Sequence, residues 1–159
     1  MLKLFISYKH EKENQHLIET IVERLENFGY KVWFDKKRLN ELGASQIDLI
    51  EEGIMDSNFV ICFITNEYIK SNNCRLEFVY ANNNNKKCIY ILLEKIEREI
   101  AKGISMYLFG DAIRFDAFKH KKDTLNEYAN EIFSQIKNSL TQNYSSQNET
   151  NSFIEVSRN

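Results

Sequence analysis

Two stretches of this chain, FVICFI at 59–64 and CIYILL at 88–93, are apolar at every position. A strand with one wet face alternates apolar and polar residues. An uninterrupted run suits a strand covered on both faces, the usual situation in a parallel sheet sandwiched by helices. Three weaker runs, KLFISY at 3–8, KVWF at 31–34 and AIRF at 112–115, read as further strands. Helical stripes lie between them. NQHLIETIVERLENF has apolar residues at 17, 18, 21, 22, 25 and 28, and Gly29 suits its C-terminal stop. QIDLIEEGIMDS is apolar at 47, 50, 54 and 55. NEYIKSNNCRLEFVYA reads as a helix broken near 71–73, and KIEREIAKG as a short helix. HKKDTLNEYANEIFSQIKNSL is amphipathic, with apolar positions 125, 129, 132, 133, 136 and 140.

The expected order is therefore β-α repeated five times. That order implies an α/β fold, one five-stranded parallel sheet with helices on both faces. In such sheets, ligands sit outside the carboxyl ends of the strands. The segments after Tyr8, Phe34 and Ile64 therefore form the expected working edge. A length of 159 residues fits one domain. We place it at 1–140. From Thr141 to Asn159 the chain turns to Asn, Gln, Ser and Thr, and a polar flexible tail or linker stub is expected there.

A net charge of −2 advertises neither a nucleic-acid nor a membrane partner. No apolar run approaches the roughly 18 residues of a membrane span. The start, MLKLFISY, has too short an apolar stretch for a signal peptide, so a cytoplasmic protein is expected. Cys62, Cys74 and Cys88 are odd in number and lack metal-ligand spacing. They read as reduced thiols of an intracellular protein. The three histidines, His10, His16 and His120, are scattered, so no metal site is expected. SYKHEKEN after the first strand holds no glycine, which excludes a dinucleotide-binding or P-loop phosphate cradle. Lys9 and His10 stand where a response regulator would carry acidic residues.

Two features invite a functional reading. The loop DKKRLNELGAS at 35–45 is eleven residues long and leaves the second strand at the working edge. Strand-to-helix links in such folds usually take about two to six residues. It is either a solvated connection or a working loop. In NCRLEFVYA, Glu77 is the one acid in an apolar run. It either points outward at helical spacing or faces a cleft with a partner, because burying a carboxylate is otherwise costly.

Taken together, these segments resemble a Toll/interleukin receptor (TIR) domain. LFISY followed by Lys9 and His10 is similar to that family's first strand and its exit. GYKVWFD resembles its second strand, DKKRLNELGAS its BB loop, and CRLE its C-x-x-E motif. The likeness covers roughly residues 2 to 138 and implies a flavodoxin-like fold. Departures are Asn73 where tryptophan is usual, Thr65 for serine at the end of strand three, and one extra residue between Leu39 and Gly43.

The family does two jobs. Some members are non-catalytic modules that recruit one another in signalling. Others cleave NAD+ at the nicotinamide–ribose bond, giving ADP-ribose or a cyclic form of it, in immune or cell-death signalling. This loop lacks the Arg-Asp and Pro-Gly pairs of receptor-type loops, so the resemblance points to the NAD-cleaving branch, with NAD+ as substrate and no cofactor. It implies Glu77 as the catalytic residue. Tyr8 and Lys9 would line the site, Lys9 offsetting pyrophosphate charge. Asp35, Leu39, Gly43 and Ser45 would belong to a gating loop, and Cys74 joins the substrate-binding set. Trp33 and Phe34 read as core strand residues. Activation by assembly with other TIR domains is implied too.

Overall fold

A computed structural model describes residues 1–34 and 46–157. Asp35, Leu39, Gly43 and Ser45 lie outside the described residues. Five strands, β1 (Lys3–Ser7), β2 (Lys31–Trp33), β3 (Phe59–Ile64), β4 (Lys87–Leu92) and β5 (Ile113–Phe115), form one sheet in the order β2-β1-β3-β4-β5. Every pairing is parallel. This is the flavodoxin-like strand order, in which the chain reverses its winding direction between β1 and β3 and opens a crevice there.

The helices are α1 (Lys12–Phe28), α2 (Gln46–Asp56), α3 (Asn66–Lys70), α4 (Asn72–Asn83), α5 (Ser105–Phe109) and α6 (Leu125–Ser157), with a 3-10 turn at Ala117–His120. Both faces of the sheet are covered, as the continuous apolar runs demand. Leu4, Ile6, Phe59, Ile61 and Phe63 pack with Ile18, Ile21 and Leu25 of α1 and with Ala129, Ile132 and Ile136 of α6. Phe5, Val60, Cys62 and Ile64 face the other way, toward Ile54, Tyr68, Phe78 and Leu108. The period of two along β3 thus feeds two cores from six residues.

One expectation needs correcting. Lys95–Gly103 does not form a helix; residues 98–104 form turns, and the short helix begins at Ser105. Gly103 has φ 98°, a left-handed conformation, and Arg75 Nη2 donates to the Lys102 carbonyl at 3.0 Å, so tertiary contacts hold this segment in turns. Helix α6 runs on through the polar segment from Thr141 to Ser157.

Helix α1 ends as its sequence suggests. Gly29 has φ 116°, its N–H donates to Glu26 O at 3.0 Å, and Tyr30 N–H donates to Leu25 O at 3.2 Å. These two bonds satisfy carbonyls left over at the helix end. A Cβ at Gly29 would meet nothing within 4 Å, so Gly29→Ala carries only the conformational cost of left-handed backbone. We expect a loss of about 1 kcal/mol, read as a lower urea midpoint with an unchanged m-value.

Candidate active site

Glu77 belongs to the inward stripe of α4. Cys74, Glu77, Phe78 and Ala81 are its buried residues, spaced i, i+3, i+4 and i+7. The side chain is 3% exposed. Of the two readings open from sequence, the inward-facing one holds. The carboxylate meets the C-terminal end of β1, where Ser7 Oγ donates to Glu77 Oε2 at 2.5 Å. Tyr68 OH lies 2.6 Å from the same Ser7 oxygen. The single Ser7 proton goes to the carboxylate, so the tyrosine hydroxyl is the donor in the second bond.

Local sequence explains the arrangement. Thr65 caps α3, its Oγ1 accepting from Tyr68 N–H at 3.0 Å. The Thr65 hydroxyl in turn donates to Glu11 Oε1 at 2.5 Å. Ser71, with extended backbone, breaks the helix, and its Oγ accepts from Cys74 N–H at 3.4 Å to start α4. The break lets α3 present Tyr68 and α4 present Glu77 to one point of β1. Ser7 pairs in register with Cys62 of β3, and Cys62 with Tyr90 of β4, so one row of polar-tipped side chains crosses this face of the sheet.

Glu77 also lines a cleft of about 180 Å³ between α2 and α4, with Ile47, Ile50, Glu51, Asn73, Leu76 and Tyr80. A larger cavity, about 530 Å³, opens beyond β4 and β5. Its Asp116 is held in ion pairs with Arg114 at 3.2 Å and Lys119 at 3.4 Å. That carboxylate's charge is already answered by two cations. The smaller cleft therefore holds the more promising acid.

The other expected residues are distributed around this point. Tyr8 follows Ser7, so its ring falls on the opposite face of the sheet. It is 2% exposed and packs in the α1 core. Its ring stacks on Phe34 with centroids 5.0 Å apart, and its hydroxyl lies 3.3 Å from His10 Nε2. Only its carbonyl turns toward Glu77's helix, accepting from Cys74 Sγ at 3.6 Å. Cys74 thereby ties α4 to the exit of β1. Lys9 is half-buried just beyond. Trp33 packs under α2, where a Cβ on Gly53 would lie 3.0 Å from its ring. Ser7 and Tyr68 were not singled out from sequence. A serine inside the apolar run LFISY was the available signal for the first, and Tyr68, 61 residues away, offered none.

A family model for the TIR domain matches residues 4–132. The chain belongs to the TIR domain family. NAD(+) hydrolase TirS of Staphylococcus aureus (strain MSSA476) is 30% identical to this TIR domain over 109 residues, 66% of this chain and 38% of TirS. The chain thus spans well under half of that relative. The TIR domain of the Toll-related receptor TRR-2 from Hydra magnipapillata superposes with a TM-score of 0.56 at 21% identity, covering 84% of this chain and 97% of that one. The TIR domains of the activated Roq1 resistosome superpose with a TM-score of 0.51 at 19% identity, covering 58% and 57%. The Clostridium botulinum CMP N-glycosidase BcmB gives a TM-score of 0.50 at 16% identity, covering 82% and 97%. At these identities the three structures speak for the fold. Among the described residues no helix is long and apolar enough to cross a membrane.

Burial sets the protonation of this face. It pushes the Cys62 thiol and the Tyr68 phenol of the TIR domain well above their ordinary values, with nearby acids adding to the shift. It pushes the Cys88 thiol up to about 11 and raises Tyr90 as well. An unfolded chain begins to ionise its thiols near pH 8.5. The fold keeps its protons there, so above that pH the unfolded state binds fewer protons and stability falls as pH rises. The thiol contribution is present in full below the unfolded value and is lost for Cys88 as pH climbs toward about 11. Urea midpoints should drop steadily from pH 8 to pH 10. Iodoacetamide should label Cys62 and Cys88 slowly in the native protein at pH 8 and quickly in urea.

Proposed function

We propose that this TIR domain is an NAD+ glycohydrolase that cleaves the nicotinamide–ribose bond, with Glu77 as its catalytic residue. The observation that carries the reading is a buried carboxylate at the β1 end of the sheet's crevice, held by Ser7 and lining a cleft. The likeness to a relative named NAD(+) hydrolase supports it.

The chemistry suits a lone acid. Nicotinamide departs from a cationic ring as a neutral molecule, so no general acid has to protonate it. The reaction needs stabilisation of an oxocarbenium-like ribosyl cation. A fixed carboxylate supplies that by charge and by accepting from the ribose hydroxyls. Water then adds to the sugar, releasing a proton and ADP-ribose; attack from within the same molecule gives the cyclic product. Burial of Glu77 lessens screening of its field. A cleft of 180 Å³ is smaller than the roughly 300–1,000 Å³ of ordinary ligand pockets, so it would hold part of the dinucleotide, in this reading the end that Glu77 must reach. The remainder of the dinucleotide would extend past Lys9, and a neighbouring TIR domain would hold the adenine end. We therefore place the activity in assemblies, in the cytoplasm, in immune or cell-death signalling.

The test is direct. Concentrated wild-type protein is incubated with NAD+, and free nicotinamide is followed by chromatography beside a Glu77→Ala control. Release that rises more than linearly with protein concentration and disappears in the variant is expected. No release at any concentration, or equal release by both proteins, overturns the reading and leaves a homotypic docking module.

A further inference from the structure

The hydroxyls of Ser7 and Tyr68 are fully enclosed, yet neither belongs to the expected substrate-binding set. Both side chains have no solvent exposure. They come from different elements, β1 and α3, and converge on the carboxylate of a third, α4, through bonds of 2.6 and 2.5 Å. Cys62 of β3 stands beside them, in register with Ser7 and in the same buried cluster as Tyr68. A purely structural core would fill this space with apolar groups at lower cost, because each buried hydroxyl needs a partner. With the Ser7 proton given to the carboxylate, the direction of the second bond follows. Tyr68 donates to Ser7, and Ser7 donates to Glu77.

We propose that Ser7 and Tyr68 are positioning residues for Glu77. They form a proton-donating relay that fixes the rotamer of the carboxylate and holds it ionised. This rests on the reading of Glu77 as the catalytic acid. Ser7 acts on Glu77 directly, and Tyr68 acts only through Ser7 by orienting its single proton. Hydrogen bonds in series polarise one another, and a bond to a charged acceptor is the strongest member of such a chain. The titratable and polar groups around the carboxylate are Ser7 from β1, Tyr68 from α3, Cys62 from β3, Cys74 and Tyr80 from its own helix and Glu51 from α2. Glu51 is the second carboxylate of the cleft, and Cys62 stays a neutral thiol. The Ser7 donor is what favours that charge.

The experiment combines kinetics with a titration that needs no turnover. Ser7→Ala, Tyr68→Phe and the double variant are compared for nicotinamide release. Ser7→Ala should lower kcat roughly tenfold with KM within about twofold, since the loss falls on the transition state. Tyr68→Phe should lower kcat by roughly threefold. The double variant should be no slower than Ser7→Ala, because Tyr68 has no route to Glu77 without Ser7. Glutamate labelled with 13C at the carboxyl gives the second readout, the Glu77 signal being the one missing in Glu77→Gln. It should titrate at higher pH in Ser7→Ala than in wild type. An unmoved titration, or losses that multiply in the double variant, overturns the relay. If the wild type releases no nicotinamide, the glycohydrolase reading fails, and the titration alone decides whether Ser7 holds the carboxylate. Tyr68→Phe, which only deletes an oxygen, keeps the test open should Ser7→Ala fold poorly.

Discussion

Glu77→Gln should lower nicotinamide release by about 10²–10³-fold while leaving the domain folded and no less stable. Glutamine has the same shape, and its amide oxygen can still accept the proton of Ser7, which stands 2.5 Å from Glu77 Oε2. What it removes is charge. If the carboxylate works by stabilising a ribosyl cation, activity must fall although geometry persists. Substrate affinity should change far less than kcat, because NAD+ in its ground state carries its positive charge on the nicotinamide ring rather than on the sugar. Thermal stability provides the internal control. Keeping an ionised group 3% exposed costs solvation, so the neutral amide should melt at the same temperature or slightly higher. A variant that melts higher and turns over slower would separate the catalytic role from a structural one. Full activity in Glu77→Gln would show that charge at this position is not the agent.

The stripe that turns Glu77 inward was present in the sequence. Cys74, Phe78 and Ala81 are spaced as one helical face, and Glu77 sits among them. Apolar neighbours at 76, 79 and 80 blurred the pattern, since Leu76 is 64% exposed and points away from the core. The continuous runs of β3 and β4 were equally legible, because only a doubly covered strand tolerates no polar residue. Other features were not. In Lys95–Gly103 the isoleucines at 96 and 100 mimic a helical turn, and the buried Ile96, Ala101 and Ile104 keep that spacing, yet the chain runs through turns at 98–104. Contacts to α4 decide that segment. In α6 the opposite held. Its polar residues after Leu140 gave no apolar stripe, yet no glycine or proline lies between 125 and 157 to stop the helix. The meeting of Ser7, Tyr68 and Glu77 is tertiary. Ser7 and Glu77 are 70 residues apart, and no periodicity within one element reports such a contact.

Phe78→Ala should be the most damaging single substitution near the site, costing about 3–5 kcal/mol of stability. Phe78 has no solvent exposure. Its ring stacks on Tyr90 with centroids 5.1 Å apart and meets Tyr107 edge-on at 6.1 Å. Those contacts pin α4 to β4 and to α5, one residue from Glu77. Truncation leaves a cavity that neighbouring elements cannot close, because Tyr90 lies in a central strand and α4 is fixed at its start by the Ser71 cap. Set against a typical total of about 5–15 kcal/mol, the loss brings the domain near its folding threshold. The urea midpoint should fall sharply at constant m-value. Activity should fall too, and for a reason distinct from the charge effect of Glu77→Gln. Phe78→Leu, which refills most of the volume, should recover the midpoint and the rate together, whereas no change of volume can restore the rate of Glu77→Gln. If Phe78→Leu recovers stability but not turnover, the ring itself, rather than the seating of α4, sets the position of the carboxylate.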